Sequence, residues 1–305
     1  MIDEILVILI IMIIIYINMH SSKDENEYFN NIGDKKYNVA VMTIFKNEHP
    51  YMKEWLNHHI SQGVDQLYLY CNDPNIDNYP YLTDKKYEKY ITLIDWVNKK
   101  NIKKNTVQKQ AYSDCVTNYS NDCQFLIMID LDEFIVPVKK NITLSSFIKN
   151  IKNSWDKTKA LKFQRYNFGS NYHMKKPRGS VMNNYTMREK ICSSYKTMAN
   201  TDYINKKSDF YGVHDFIFLK KNGKIYNKYF EYISGYPAEC NKNNINEMPF
   251  VINHYYTKSY EEYINRCELW KDGGINPIGY RHNCKQKFLD SDVSHSNSYD
   301  IIPNI

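Results

Sequence analysis

The sequence has neither a CxxC pair nor a Cys/His ladder: Cys71, Cys115, Cys123, Cys192, Cys240, Cys267 and Cys284 are scattered along 305 residues. That spacing excludes a zinc knuckle and a dense disulfide framework. Most of these thiols read as small core residues, and Cys115 and Cys123 lie near enough in sequence to pair in an oxidising compartment. A basic arm is also missing. The net charge is only +6, and the lysines are interspersed with Asp, Glu and Asn, which argues against nucleic acid as a partner. No internal repeat and no linker divides the chain after its amino-terminal segment, and "FKNEHP" after the first predicted strand contains no glycine.

What is present begins with "ILVILIIMIIIYINM", Ile5 to Met19. A bilayer takes about 20 apolar residues, with ~17 at the short end. The acidic start and the absence of small residues at a cleavage point favour an uncleaved anchor over a signal peptide. We therefore expect a membrane anchor helix over 1–20, a polar Asn-rich stem over 21–36 and a catalytic domain over 37–305. The flanking charges do not choose a topology; a lumenal domain follows if the protein is of the Golgi or ER type.

"YNVAVMTIF" (37–45) reads as a buried first strand. Apolar positions then recur at helical spacing from Tyr51, with Pro50 in the first turn and Gly63 beyond the end. "QLYLYC" and "ITLIDW" read as further strands, Val107 to Tyr119 as a helix and "FLIMI" as a fourth strand covered on both faces. "TLSSFIKNI" starts at a Thr143 cap, and "ALKFQRYNF" reads as another strand. Strands alternating with helices predict an α/β fold with a doubly wound sheet. Ligands of such sheets collect beyond the carboxyl ends of the strands, where "KNE", "CNDPN" and "DLDE" fall.

"FLIMIDLDEFIVP" presses Asp130, Asp132 and Glu133 between two apolar runs, an arrangement that is costly unless something offsets the charge. In an extended chain Asp130 and Asp132 lie about 6–7 Å apart on one side, with Glu133 turned away. Two carboxylates so placed can grip one hard cation, while a diphosphate supplies further oxygens.

"TIFKNEHPYMKEWLNHHISQGVDQLYLYCNDPNID", a helix around Gln110, "MIDLDEFIVP", "FQRYNFGSN" and "INHYYTKSYEEYINR" together resemble the family 92 glycosyltransferases and their family 2-like relatives. The resemblance runs from about Asn38 to Arg266 and implies a GT-A-type mixed sheet. It also implies a nucleotide-sugar donor, a glycan or glycoconjugate acceptor and a Mn2+ or Mg2+ cofactor. Carried over, Asp130 and Asp132 hold metal and diphosphate, with His214 as a third ligand and His254 its competitor. Thr43, Lys46, Asn47, Glu48, Asn72 and Asp73 form the nucleotide edge. Lys196 is a candidate for donor phosphate, although in so Lys-rich a chain it also fits a solvated role. Transfer with inversion needs a base; Glu133, Asp209, Asp215 and Glu239 are the candidates. "FGSN" (168–171) is expected to shape the sugar pocket, Gly169 allowing close backbone approach. A nucleotidyltransferase and a non-catalytic GT-A-like binding protein remain the alternatives. Asn118, Asn141 and Asn184 begin N-x-S/T sequons.

Overall fold

The computed structural model describes residues 35–97, 106–190, 192, 194–206, 216, 224–227, 231–232, 249–271 and 283–295. The expected anchor, the stem as far as Asp34, and also Asp209, His214, Asp215 and Glu239, lie outside them. Among the described residues no helix is long and apolar enough to cross a membrane.

Residues 37–305 form one compact unit. Its first half follows the predicted alternation: β1 (Tyr37–Phe45), α1 (His49–Ser61), β2 (Gln66–Cys71), β3 (Ile91–Asp95), α3 (Val107–Tyr119) and β4 (Cys123–Met128), with a short α2 (Lys85–Glu88) before β3. β3, β2, β1 and β4 are parallel neighbours in that order. All six residues of β2 and of β4 are buried, as strands covered on both faces require. Gly63 ends α1 at φ +77°, and a Cβ there would meet the Ser145 Cβ at 2.5 Å.

The second half makes the sheet mixed. β5 (Glu133–Pro137), β6 (Thr158–Asn167), β7 (Ser194–Asn200) and β10 (Phe250–His254) continue the order as β4-β7-β6-β10-β5, while β8 (Lys224–Asn227) and β9 (Glu231–Tyr232) extend from β6. α4 (Leu144–Asn150) starts at Thr143 with a reciprocal cap between Thr143 and Ser146, and a short α5 (Val181–Asn184) lies between β6 and β7. α6 (Tyr260–Lys271) and α7 (Cys284–Ser291) follow β10, joined by the Cys267–Cys284 disulfide. Cys192 is also disulfide-bonded. Cys115 and Cys123, near enough in sequence to pair, are instead free buried thiols, small core residues as most of the cysteines were read to be.

Strand order dictates a curl. β4 and β5 are four places apart, about 19 Å in a flat sheet, yet only residues 129–132 join them. Even fully extended, that link reaches ~17–18 Å, and it contains a turn closed by Glu133 N–H to Asp130 O at 3.0 Å. The sheet therefore bends until β5 comes round against α1. Three side chains of α1 seal the outer edge of β5. Trp55 Nε1–H donates to Glu133 O at 2.9 Å, His58 Nε2–H donates to Ile135 O at 2.8 Å, and Ile135 N–H donates to His59 Nε2 at 3.3 Å. A mixed α/β sheet curled in this way fits the GT-A-like expectation.

Candidate functional site

The acidic run lies at the carboxyl end of β4, where β1 and β4 run parallel. It is a turn, so the three carboxylates are dealt out differently from an extended chain. Glu133 is fully buried. Its Oε1 takes Arg165 Nη1 at 3.0 Å, and its Oε2 takes Lys196 Nζ at 2.9 Å and the Asp130 N–H at 2.9 Å. Burial alone would raise this carboxyl, but Lys196, His254 and Arg165 hold it below the ordinary range. Asp130, 36% exposed at its side chain, accepts from Gln108 Nε2 at 2.9 Å and Lys196 Nζ at 3.2 Å. Lys196 is a buried bridge between two acids, in place of the solvated role its surroundings in sequence suggest.

Asp132 faces the other way, toward β10. Antiparallel pairing of β5 and β10 sets His254 opposite Glu133, and Tyr255 N–H donates to Asp132 O at 2.8 Å. His254 Nε2 thus stands 3.5 Å from Asp132 Oδ1. Its tautomer follows from its other neighbours. Asn167 Nδ2 donates to Glu189 at 3.4 Å, which turns Asn167 Oδ1 toward His254 Nδ1 at 2.7 Å. Nδ1 then carries a proton toward Asn167, and Nε2 is the ring nitrogen that faces Asp132. Burial would raise the Asp132 carboxyl; His254, Lys258 and Arg266 instead hold it far below the usual range.

The loop after β1 is organised by Asp73. This residue, 3% exposed, accepts Asn47 N–H at 2.9 Å, Asn75 N–H at 3.0 Å and Tyr79 O–H at 2.9 Å. Burial raises its carboxyl less than these hydrogen bonds lower it. Tyr79 also accepts the Glu48 N–H at 2.9 Å. Asn47, at φ +59°, turns the chain here, leaving Lys46 and Asn47 exposed and Asn72 half-buried. Thr43, two residues before the end of β1, is fully buried, with its Oγ1 unbonded. Glu48 leans over the acidic turn and interacts with Lys258, Asp132, Arg266 and Asp130. Its Oε2 is buried without a hydrogen bond, and burial raises its carboxyl.

Two cations complete the cluster. Lys258 is 4% exposed and held at φ +50°, a backbone conformation costly for a lysine. The residue after it caps α6: Ser259 Oγ accepts Glu262 N–H at 3.2 Å while Glu262 accepts Ser259 N–H at 3.1 Å. Tyr51 O–H also donates to Glu262, and the Tyr51 ring lies 4.4 Å from Lys258 Nζ. Arg266, two turns along α6, donates from Nη1 to Asp132 Oδ2 at 3.0 Å and from Nη2 to Tyr256 O. "FGSN" adjoins the cluster at its first residue, where Phe168 N–H donates to His254 O at 2.9 Å. Ser170 and Asn171 bond Asp292 and Ser294, and a Cβ on Gly169 would stand 2.6 Å from Asp292 Oδ1. Its close approach is to residues 292–294. The stretch "NHYYTKSYEEYINR" marked this region in the sequence, but the roles of Asn167, Arg165, Lys258 and Arg266 depend on strand register and were not visible there.

Among the described residues no three His, Cys, Asp or Glu side chains converge to hold a metal by themselves. Asp132 and His254 supply two donors at a spacing suited to one ion, with Asp130 on the same turn. Cations that act on phosphates are commonly held by one or two carboxylates plus substrate oxygens and water. The donor set therefore fits such an ion.

Comparison with known proteins matches residues 35–272 to glycosyltransferase family 92. A family 92 protein of Ricinus communis is 24% identical over 176 residues, covering 57% of this chain and 30% of its own. One from Oryza sativa subsp. japonica is 24% identical over 172 residues, covering 56% and 28%. The β-1,4-galactosyltransferase galt-1 of Caenorhabditis elegans is 28% identical over 126 residues, covering 39% and 29%. The matches thus span under a third of the length of these relatives. The family match takes in the loops after β1 and β2, the acidic turn and the His254 to Arg266 stretch: this chain belongs to glycosyltransferase family 92.

Proposed function

We propose that the protein transfers a sugar from a nucleotide-sugar donor to an acceptor hydroxyl, with help from Mn2+ or Mg2+ and with inversion at the anomeric carbon. The observation that carries this reading is the Asp132–His254 pair, opened toward Asp130 at the carboxyl end of β4 in a family 92 chain. A bound divalent cation would supply Lewis-acid stabilisation of the departing diphosphate. Asp132, His254 and Asp130 would hold it. Asn167, fixed by Glu189, orients the His254 ring with Nε2 toward Asp132. Lys258 and Arg266 bring positive charge to the same side of the turn.

The candidate base moves with the geometry. Both Glu133 oxygens are committed to buried cations, so that residue serves by fixing Lys196 and Arg165. Glu48 has an oxygen without a hydrogen bond and a carboxyl raised by burial, which suits a proton acceptor near neutral pH. A nucleotidyltransferase would need backbone N–H groups facing phosphate after β1. Here the Asn47 and Glu48 N–H groups already bond Asp73 and Tyr79, which disfavours that alternative. A galactosyltransferase among the relatives makes a galactose donor the first to try. Anchoring of the chain to a membrane through Ile5–Met19 belongs to the same proposal.

The test is release of nucleoside diphosphate from a panel of nucleotide-sugars by residues 37–305, with and without Mn2+. Metal-dependent release that Asp132→Ala abolishes supports the reading. No donor binding in the presence of metal, or unchanged turnover by Asp132→Ala, refutes it.

A further inference from the structure

We propose that a groove along α1 holds the non-reacting units of the acceptor, and that this acceptor is an uncharged oligosaccharide. The inference rests on the sugar-transfer reading and deepens it by giving the acceptor a chemical class and a place. Pro50, Glu54, Asn57 and Ser61 recur at helical spacing on one face of α1 and line a shallow groove with Gly179 and Ser180. Past Ser61 the groove opens into a cavity of about 510 Å3, bounded by the end of β5, residues 141–143 and α5. That volume lies within the range of pockets that bury a small ligand.

The groove leads away from the acidic turn. Trp55 bonds Glu133 O and His58 bonds Ile135 O, so α1 and β5 run side by side from the catalytic edge. At the near end stands Pro50, next but one to Glu48, and Glu48 acts on Asp130 and Asp132. The cavity at the far end touches Val136 and Pro137, roughly 10–14 Å along the strand from Glu133. A chain of linked sugar rings with its reacting hydroxyl beside Glu48 places its later units there.

The lining selects the ligand. Gln62 is 7% exposed and lines the cavity, and its Oε1 has no hydrogen bond; a buried carbonyl oxygen without a donor is costly. Near it, the Thr143 and Ser180 hydroxyls each accept one helix N–H and keep a proton to donate. Acceptor and donors in one cavity suit ligand hydroxyls, which do both, while Pro137 and Met182 offer apolar surface to ring faces. Glu54 is already engaged, accepting Val181 N–H at 2.7 Å and Met182 N–H at 3.1 Å. No Lys or Arg stands among the described residues that line the cavity, which disfavours a phosphate or carboxylate. An extended peptide binds by pairing with an open strand edge, and Trp55, His58 and His59 occupy that of β5.

The experiment has two arms, both on the purified full chain made in bacteria so that Asn141 carries no glycan. The first applies it to an array of neutral, sulfated and carboxylated oligosaccharides of increasing length. Wild type is expected to retain neutral chains and to pass over single sugars and charged chains. Ser61→Trp, which fills the groove and gives up a bond to His58 O, should weaken retention at least about tenfold. Gln62→Leu should weaken it about three- to tenfold, the scale of one hydrogen bond. The second arm compares turnover on the best-retained chain with turnover on its terminal monosaccharide; the longer acceptor should be favoured by wild type, and the ratio should fall toward one in both variants. A preference for charged chains, no retained chain, or variants unchanged in either arm overturns the inference. If wild type shows metal-dependent release of nucleoside diphosphate yet retains no neutral chain, only this inference falls; if it shows no such release, the sugar-transfer reading falls and the acceptor role with it. Should Ser61→Trp fail to fold, Gln62→Leu decides by the same two measurements.

Discussion

Replacing Lys196 by methionine removes a cation that bridges Asp130 at 3.2 Å and Glu133 at 2.9 Å. Asp130 is partly exposed and can recruit water, but Glu133 is fully buried and would keep Arg165 as its cation partner. Breaking a buried pair by removing one partner costs about 3–5 kcal/mol, mostly the penalty of stranding the other charge. For a domain of this size each kcal/mol lowers Tm by roughly 2–4 °C, so Lys196→Met is expected to lower Tm by roughly 6–20 °C. Differential scanning calorimetry at pH 7 measures it. The double variant Lys196→Met with Glu133→Gln removes the stranded charge and should recover part of the loss. The sign with pH follows from the lowered Glu133 carboxyl: in wild type its contribution is present above about pH 4.3 and lost as pH falls through the folded value. In Lys196→Met that acid-side loss should shrink. A single variant within 2 °C of wild type, or a double variant whose losses simply add, would refute the bridge as the element that holds Glu133 charged.

Four further outcomes follow. His58 and His59 are held neutral by burial, His59 far below its ordinary pKa. Their stabilisation is therefore full above about pH 6.5 and lost as pH falls toward the folded values; a Tm series from pH 7.5 to 5 should decline, and His59→Phe should flatten it while costing about 1–3 kcal/mol for the orphaned Ile135 N–H. Asn167→Ala should weaken Mn2+ uptake about 10–100-fold by releasing His254, read in a titration with nucleotide present. Glu48→Gln should lower kcat by at least about 100-fold with nucleotide-sugar affinity within about twofold; an equal loss in both would place Glu48 in binding instead. Reducing the Cys267–Cys284 bridge, which closes a separation of 17 residues, should cost about 3 kcal/mol, seen as a lower Tm in dithiothreitol.

The first half of the fold was legible because its signals are local. β1, α1, β2, α3 and β4 each carry their own periodicity, and Gly63 marks a helix end that a side chain would obstruct. Asp130 and Asp132 stood out as candidates because acids beside a buried strand are conspicuous. Their geometry was not, since alternation assumes extended backbone and residues 130–133 form a turn. Lys196 and Glu133 were misplaced for a related reason: composition makes a lysine look solvated, while the register of β6 with β7 sets Lys196 opposite Phe163 and inside the sheet. Gly169 was read correctly as a point of close approach, but the partner is a segment more than 120 residues later. His254 became a site residue through its pairing with Glu133 on one side and Asn167 on the other, contacts that no local pattern encodes.

The seal that α1 places on β5 also bears on how the chain meets copies of itself. A strand edge with open N–H and C=O groups is a template for another strand, and β5 offers little of one because Trp55, His58 and His59 already occupy it. At the opposite end of the strand order, β3 pairs with β2 alone among the described residues, and Leu93 is 40% exposed. Edge-to-edge association through the main strand order is thereby confined to one side, so it ends in a pair and cannot propagate into a fibre through that contact.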